Sequence, residues 1–310
     1  MQYALELTNV SKTYQGDGAL EQKKALNSLN LKIPVGSIFG LLGSNGAGKS
    51  TAINIIAGLT NKSSGKVLIW GCDQDLSPEQ SRSFIGVMPQ ELNLDPFLSA
   101  KDALEVQAGL FGVGKKERKT SHILEKVGLS DVANAYSRSL SGGMRRRLLM
   151  AKALVHSPPI LILDEPTAGV DIELREVLWD YISELRDNGT TIVLTTHYLE
   201  EAQKICDQIG ILSNGVLVEK GDTKDLLAKI DNKILIVHPG TEILKAPDFS
   251  PMVTSSLRID GALQLSFDRS KISTEEVIDL CRKIGISIRD IATEEPALED
   301  VFRIAIKNIH

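Results

Sequence analysis

Gly43-Ser44-Asn45-Gly46-Ala47-Gly48-Lys49-Ser50 brings small residues, a cation and a hydroxyl together at a spacing that suits a bound polyphosphate. Glycines let the chain curl until several backbone N–H groups converge on one anion. A helix starting there adds the partial positive charge of its N-terminus. Lys49 is expected to reach the outer phosphates, and Ser50 to offer its hydroxyl to a magnesium ion. A glycine-rich turn beside a surface lysine is the plain alternative. The flanks argue against it: an apolar run, 38–42, precedes the string, and a helix-like segment beginning at Thr51 comes after it.

Two further strings carry chemistry. Ile160-Leu161-Ile162-Leu163-Asp164-Glu165 is an apolar strand that ends in two carboxylates. Asp164 is placed to hold magnesium through water, and Glu165 to polarise a water for in-line attack on a γ-phosphate. Taken alone, such a string is more often a buried strand ending in solvated acids; after a phosphate loop, that reading recedes. Leu140-Ser141-Gly142-Gly143-Met144 offers a serine and two glycines at a helix start, with free N–H groups suited to another phosphate. By itself it could equally be a simple helix cap.

These residues need a scaffold, and the apolar pattern supplies one. Short β-like runs recur at 4–10, 26–33, 37–42, 66–70, 84–88, 159–163, 190–195 and 209–212. Several are continuously apolar, as in strands covered on both faces. Helical patterns lie between them, clearest at 173–186, where Leu174, Val177, Leu178, Tyr181, Ile182 and Leu185 share a face. Alternation of this kind predicts a parallel α/β core. Residues 92–156 read as an inserted, mostly helical subdomain.

From 222 onwards the character changes. A short helix (222–229), a strand (234–238) and a connection through Pro247 and Pro251 lead to runs 257–259 and 263–267, which flank the hairpin signal Asp260-Gly261. Ser273-Thr274-Glu275-Glu276 is a capping box, and Pro296 opens a last helix with Leu298, Val301, Phe302 and Ala305 inward. We read residues 1–221 as one domain and 222–310 as a small α+β domain without a catalytic constellation.

In this order, the phosphate loop, Ser141-Gly142-Gly143 and Asp164-Glu165 resemble the motifs of ATP-binding cassette (ABC) proteins across residues 4–220. The resemblance implies a P-loop NTPase fold: a RecA-like core, an antiparallel β subdomain and a helical subdomain. It implies ATP and Mg²⁺ as ligands, with Tyr14 against adenine and Gly43, Ser44, Asn45, Gly46, Ala47, Gly48, Lys49, Ser50 and Thr51 around the phosphates. Ser50, Gln90 and Asp164 would attend the metal. Glu165, His197 and Gln90 would be catalytic, His197 as the switch histidine. Leu140, Ser141, Gly142, Gly143 and Met144 would face the ATP of a second subunit, and Asp171 would communicate across the dimer.

Met144 replaces a common Gln, Ser44 a common Pro and Ser50 a common Thr; the segment 16–24 is longer than usual. His122, His156, His238 and His310 are assigned to structure or surface, and Arg145-Arg146-Arg147 to a solvated helix face.

Ile160 to Asp171, the segment Thr195-Thr196-His197-Tyr198-Leu199-Glu200-Glu201-Ala202 and the tail Pro296-Ala297-Leu298-Glu299-Asp300-Val301-Phe302 are similar to ATPase subunits of type-2 ABC exporters. Within these, the chain resembles the bacterial YadG-like group, near the daunorubicin-resistance ATPases. This implies a homodimer that drives a separate membrane permease from the cytoplasmic face, meeting the membrane only through that permease. An importer ATPase is the alternative, and a soluble ABC ATPase acting on nucleic acid or ribosomes a more remote one.

Composition agrees with a globular chain: 310 residues, 42% hydrophobic and 24% charged. A net charge of −5 provides no basic field for nucleic acid. Cys72, Cys206 and Cys281 have no metal-binding spacing and read as reduced thiols. No signal peptide or spanning segment is expected.

Overall fold

The computed structural model describes residues 2–15, 22–249, 251–294 and 296–307. The segment 16–24 therefore lies partly, and His310 wholly, outside the described residues.

In chain order the elements are β1 (Tyr3–Gln15), β2 (Gln22–Pro34), β3 (Ile38–Leu42), α1 (Lys49–Ile56), β4 (Ser64–Ile69), β5 (Cys72–Asp73), α2 (Pro78–Ser83) and β6 (Ile85–Met88). Then come α3 (Ala100–Leu110), α4 (Thr120–Lys126), α5 (Gly142–Leu154), β7 (Ile160–Asp164), α6 (Ile172–Asp187), β8 (Thr191–Thr195), α7 (Leu199–Ile205), β9 (Gln208–Ser213) and β10 (Val216–Asp222). The chain closes with α8 (Thr223–Ala228), β11 (Asn232–Pro239), β12 (Val253–Leu257), β13 (Leu263–Asp268), α9 (Thr274–Lys283), β14 (Ile288–Glu294) and α10 (Leu298–Lys307). Two compact units meet in the chain between Thr223 and Lys224.

The first unit holds two sheets. One is antiparallel, ordered β2-β1-β4-β5; the other has six strands, ordered β10-β9-β3-β8-β7-β6. Strands β9, β3, β8, β7 and β6 run parallel, with β10 antiparallel at the edge. All residues of β3, β7 and β8 are buried, which explains their uninterrupted apolar sequences. Leu5, Leu7, Leu26 and Ile33 of the antiparallel sheet share a core with Phe39, Leu41, Ile53, Ile160 and Val193. The clustered apolar side chains thus weld the two sheets through α1 and β3.

Strand register aligns the carboxyl edge of the parallel sheet. Leu41 of β3 pairs with Thr195 of β8, Thr195 with Asp164 of β7, and Met88 of β6 with Leu163. The carboxyl ends of four neighbouring strands therefore stop at one level, where ligands of parallel α/β sheets bind. The helical segment is carried against this edge by α5, which packs on β6 so closely that a Cβ on Gly86 would lie 2.1 Å from the Ala153 carbonyl oxygen. Only glycine permits that approach.

The second unit is an antiparallel sheet, ordered β12-β13-β11-β14. Leu235, Val237, Leu263, Leu265 and Phe267 bury one face with Val277 and Cys281 of α9. Ser273 caps α9 through the capping box with Glu276 read from the sequence. Sequence periodicity misplaced two features here. The strand before Asp260-Gly261 is Val253–Leu257, which meets the run expected at 257–259 only at Leu257, and Ile259 projects fully into solvent. Strand β14 escaped detection because, after Ile288, its residues are exposed and show no alternation.

Candidate active site

The loop between β3 and α1 is shaped by contacts that admit no larger residues. A Cβ on Gly43 would lie 2.5 Å from the Leu212 carbonyl oxygen, and one on Gly48 equally close to that of Ala25. Gly48 also sits at φ +109°, just ahead of α1. Ala47 is buried, and its N–H donates to the Ser44 carbonyl at 3.1 Å. The Lys49 ammonium donates back to the carbonyls of Gly43 and Ser44, at 2.7 and 3.1 Å. Its side chain thus arches over the loop.

Beside this loop lies a cavity of about 430 Å³, lined by Tyr14, Asn45, Gly46, Gly48, Lys49, Ser50, Thr51, Gln90, Asp164 and Glu165, together with Lys23 and Ala25. Residues as distant in sequence as Tyr14 and Glu165 meet here because β1 and β2 fold over the mouth of the parallel sheet. Tyr14 is 39% exposed, with the Lys12 ammonium 4.8 Å from its ring centre. Lys23 and Ala25 were not anticipated. They belong to β2, and their only sequence signal is pairing with β1, where Lys23 faces Tyr14.

The carboxylates differ in environment. Asp164 is buried, and burial pushes its carboxyl above the usual range; the Glu165 charge pushes the same way. A hydrogen bond from the Thr195 hydroxyl opposes this, as do the charges of Lys49 and Arg146. Burial likewise lowers the Lys49 ammonium, against the pull of Glu165 and Asp164. Glu165 adopts φ +51°, a left-handed conformation costly for a residue with a Cβ. Its N–H is held by the Thr195 hydroxyl at 3.2 Å and the Thr195 carbonyl at 3.1 Å.

The Glu165 carboxylate is approached from two sides: Gln90 Nε2 stands 3.4 Å from Oε2, and His197 Nδ1 3.5 Å from Oε1. Both are long contacts, as befits a site whose hydrogen bonds tighten around a substrate. The His197 ring also packs against Tyr198, with centres 4.0 Å apart. Ser50 and Asp164 line one cavity and offer the hard oxygen donors magnesium prefers, alongside the amide oxygen of Gln90. No cluster of three His, Cys, Asp or Glu side chains that could hold a metal occurs among the described residues. The set fits an ion that takes its remaining ligands from phosphate and water.

Leu140, Ser141, Gly142, Gly143 and Met144 do not line this cavity. Leu140 is buried, and Ser141 caps α5, its hydroxyl accepting from the Met144 N–H at 3.2 Å. Gly142 is exposed, with nothing within 4 Å of where a Cβ would stand. Asp171 caps α6 in an exposed position, its carbonyl accepting from the Arg175 N–H at 2.9 Å.

The basic run after Met144 is not a solvated face. Arg147 is buried and donates to the carbonyls of Val127 and Gly128, both at 2.8 Å. Arg145 Nε donates to the Leu140 carbonyl at 3.0 Å. Arg146 donates to the carbonyls of Glu165 and Gln90, at 2.6 and 3.2 Å. Each guanidinium serves backbone carbonyls of loops packed against α5, a demand invisible to charge counting. His156 is structural, stacked on Phe111 with ring centres 3.7 Å apart.

Comparison with known proteins accounts for this assembly. The ABC transporter family matches residues 26–168, from β2 to just past Glu165. The Nod factor export ATP-binding protein I of Rhizobium etli is 36% identical over 309 residues, covering 96% of this chain and 92% of its own. The linearmycin resistance ATP-binding protein LnrL of Bacillus subtilis is 32% identical over 308 residues, covering 96% of each. Both similarities extend through the second unit.

Among solved structures, the ATP-binding cassette MJ0796, described as a dimeric post-hydrolysis state bound to ADP and Pi, is 30% identical with a TM-score of 0.65. It covers 71% of this chain and 98% of its own. No described helix is long and apolar enough to cross a membrane. With the loop, the paired carboxylates and full-length relatives in agreement, the chain is an ATP-binding-cassette ATPase of the ABC transporter family.

Proposed function

We propose that this ATPase is the energy-coupling subunit of an exporter, in which two copies close around two ATP molecules and drive a separate membrane permease from its cytoplasmic side. The observation that carries the reading is the division of the chain's phosphate-binding features. Asn45, Gly46, Gly48, Lys49, Ser50 and Thr51 of the loop line one cavity with Gln90, Asp164 and Glu165, whereas Ser141, Gly142 and Gly143 present helix-start N–H groups outside it. A second copy supplying its own α5 would complete the cavity. Export is favoured over import by the relatives, one an export ATP-binding protein and one a resistance ATP-binding protein. Residues 1–221 would form the nucleotide-binding domain and 222–310 an accessory domain.

In this reading adenine rests on Tyr14, and the triphosphate lies along the N–H groups ahead of α1, neutralised by Lys49. Magnesium, when bound, would neutralise charge on the β- and γ-phosphates, and Ser50, Asp164 and Gln90 would hold it. Glu165 orients the attacking water and accepts its proton as the water oxygen bonds to the γ-phosphorus. The bond between that phosphorus and the bridging oxygen breaks, releasing ADP. His197 steadies Glu165 and the γ-phosphate.

Because the site is shared, turnover per subunit should rise with protein concentration and saturate as the dimer fills. Turnover independent of concentration in a demonstrably monomeric sample would overturn the proposal. Lys49→Ala should abolish measurable hydrolysis, a loss of at least about a hundredfold, comparable to removing a principal charge-stabilising donor.

A further inference from the structure

Arg146 stands at the start of α5, two residues after Met144, and is half-buried. Its guanidinium faces no carboxylate in an ion pair among the described residues. Instead, Nη1 donates to the Glu165 carbonyl at 2.6 Å and lies 3.5 Å from that of Asp164, while Nη2 donates to the Gln90 carbonyl at 3.2 Å. One planar fork thus grips the two loops whose side chains meet at the Glu165 carboxylate. Charge-assisted bonds to carbonyls are stronger than neutral ones, and a fork fixes angle as well as distance.

The residue it grips is strained. Glu165 occupies a left-handed backbone conformation, with its N–H tied to Thr195 on one side and its carbonyl tied to Arg146 on the other. Without the second tether, the Glu165 carbonyl keeps only the longer, neutral bond from the Ala168 N–H at 3.3 Å, so the peptide after Glu165 is less restrained from rotating towards an unstrained conformation, and the carboxylate would turn with it. Arg146 also belongs to the same helix start as Ser141, Gly142 and Gly143. Displacement of that helix start is therefore transmitted to Glu165 and Gln90 through a short, stiff connection.

We propose that Arg146 is a positioning residue for hydrolysis: it holds Glu165 and Gln90 in register with the start of α5, acting through their backbone carbonyls. The proposal rests on the reading of Glu165 as the group that activates water. Arg146 makes no bond to the loop 43–51 or to Tyr14, so its removal should leave nucleotide binding in place.

Steady-state hydrolysis and equilibrium binding of a fluorescent ATP analogue, measured on the full chain, test this with R146A, R146Q and, as reference, E165Q. A glutamine amide is too short to span both loops, so R146Q decides the matter if R146A fails to fold. The expected result is a fall in kcat on the order of tenfold, with nucleotide affinity within about threefold of the parent. A kcat within about twofold of the parent in a folded variant overturns the proposal, as does affinity falling in step with kcat. Parent-like hydrolysis by E165Q would instead refute the reading of Glu165. Parent-like R146A beside inert E165Q would refute only the role of Arg146.

Discussion

Asp164 shows how the site trades stability for function. Its carboxyl is held above the usual range chiefly by burial, so ionising it costs the fold more than ionising the same group in the unfolded chain. A folded value above the unfolded one means that this residue favours folding below the unfolded value, and that the benefit disappears as pH rises through the folded value. The cost grows as pH rises above the unfolded value. Asp164→Asn keeps an oxygen to accept the Thr195 hydroxyl and removes the charge. It should therefore raise the Tm of the nucleotide-free protein at pH 7 and leave Tm unchanged or lowered at pH 3, while hydrolysis falls by at least about a hundredfold. Thermal scans at the two pH values check the first part; an Asn variant less stable than the parent at pH 7 would show that Asp164 is structurally favourable.

At the scale of elements, the helical segment depends on how closely α5 approaches β6. Gly86→Ala would drive a methyl into the Ala153 carbonyl, so β6 and α5 must separate. The expected loss is about 1–3 kcal/mol or more, read from denaturant unfolding, with hydrolysis impaired because Gln90 lies just beyond β6 and Arg146 lies on α5. Unfolding at the parent's midpoint would show that the packing yields freely.

The elements that proved legible in the sequence share a cause. Strands β3, β7 and β8 are buried on both faces and spell unbroken apolar runs, and α9 carries its capping box locally. The loop 43–50 and Asp164-Glu165 stood out because their residue types and spacing are local to the sequence, and the fold brings Asn45, Gly46, Gly48, Lys49 and Ser50 to one cavity with both carboxylates. Strand β14, the contribution of Lys23 and the tethers made by Arg146 and Arg147 were not, because each depends on a partner distant in sequence. Arg145, Arg146 and Arg147 look like solvent-facing charge until the carbonyls they satisfy are in place.

For the whole molecule, two hydrophobic cores fall on either side of the division after Thr223, one uniting both sheets of the first unit and one beneath α9. Calorimetry should resolve two transitions, and nucleotide at about a hundred times its Kd should stabilise the first by about 2.7 kcal/mol without moving the second. A single transition that shifts as one would show that the cores unfold together. A site of which each chain holds half, as proposed, should bring two chains together once ATP is bound. On the proposed role of Glu165, Glu165→Gln removes the proton acceptor while keeping the shape of the cavity, so ATP should be bound and retained. The direct measurement is the solution mass of this variant by light scattering, with and without MgATP. A mass moving from about 34 kDa to twice that value on adding ATP is the expected result; a variant that binds ATP and remains at the mass of one chain would contradict the account.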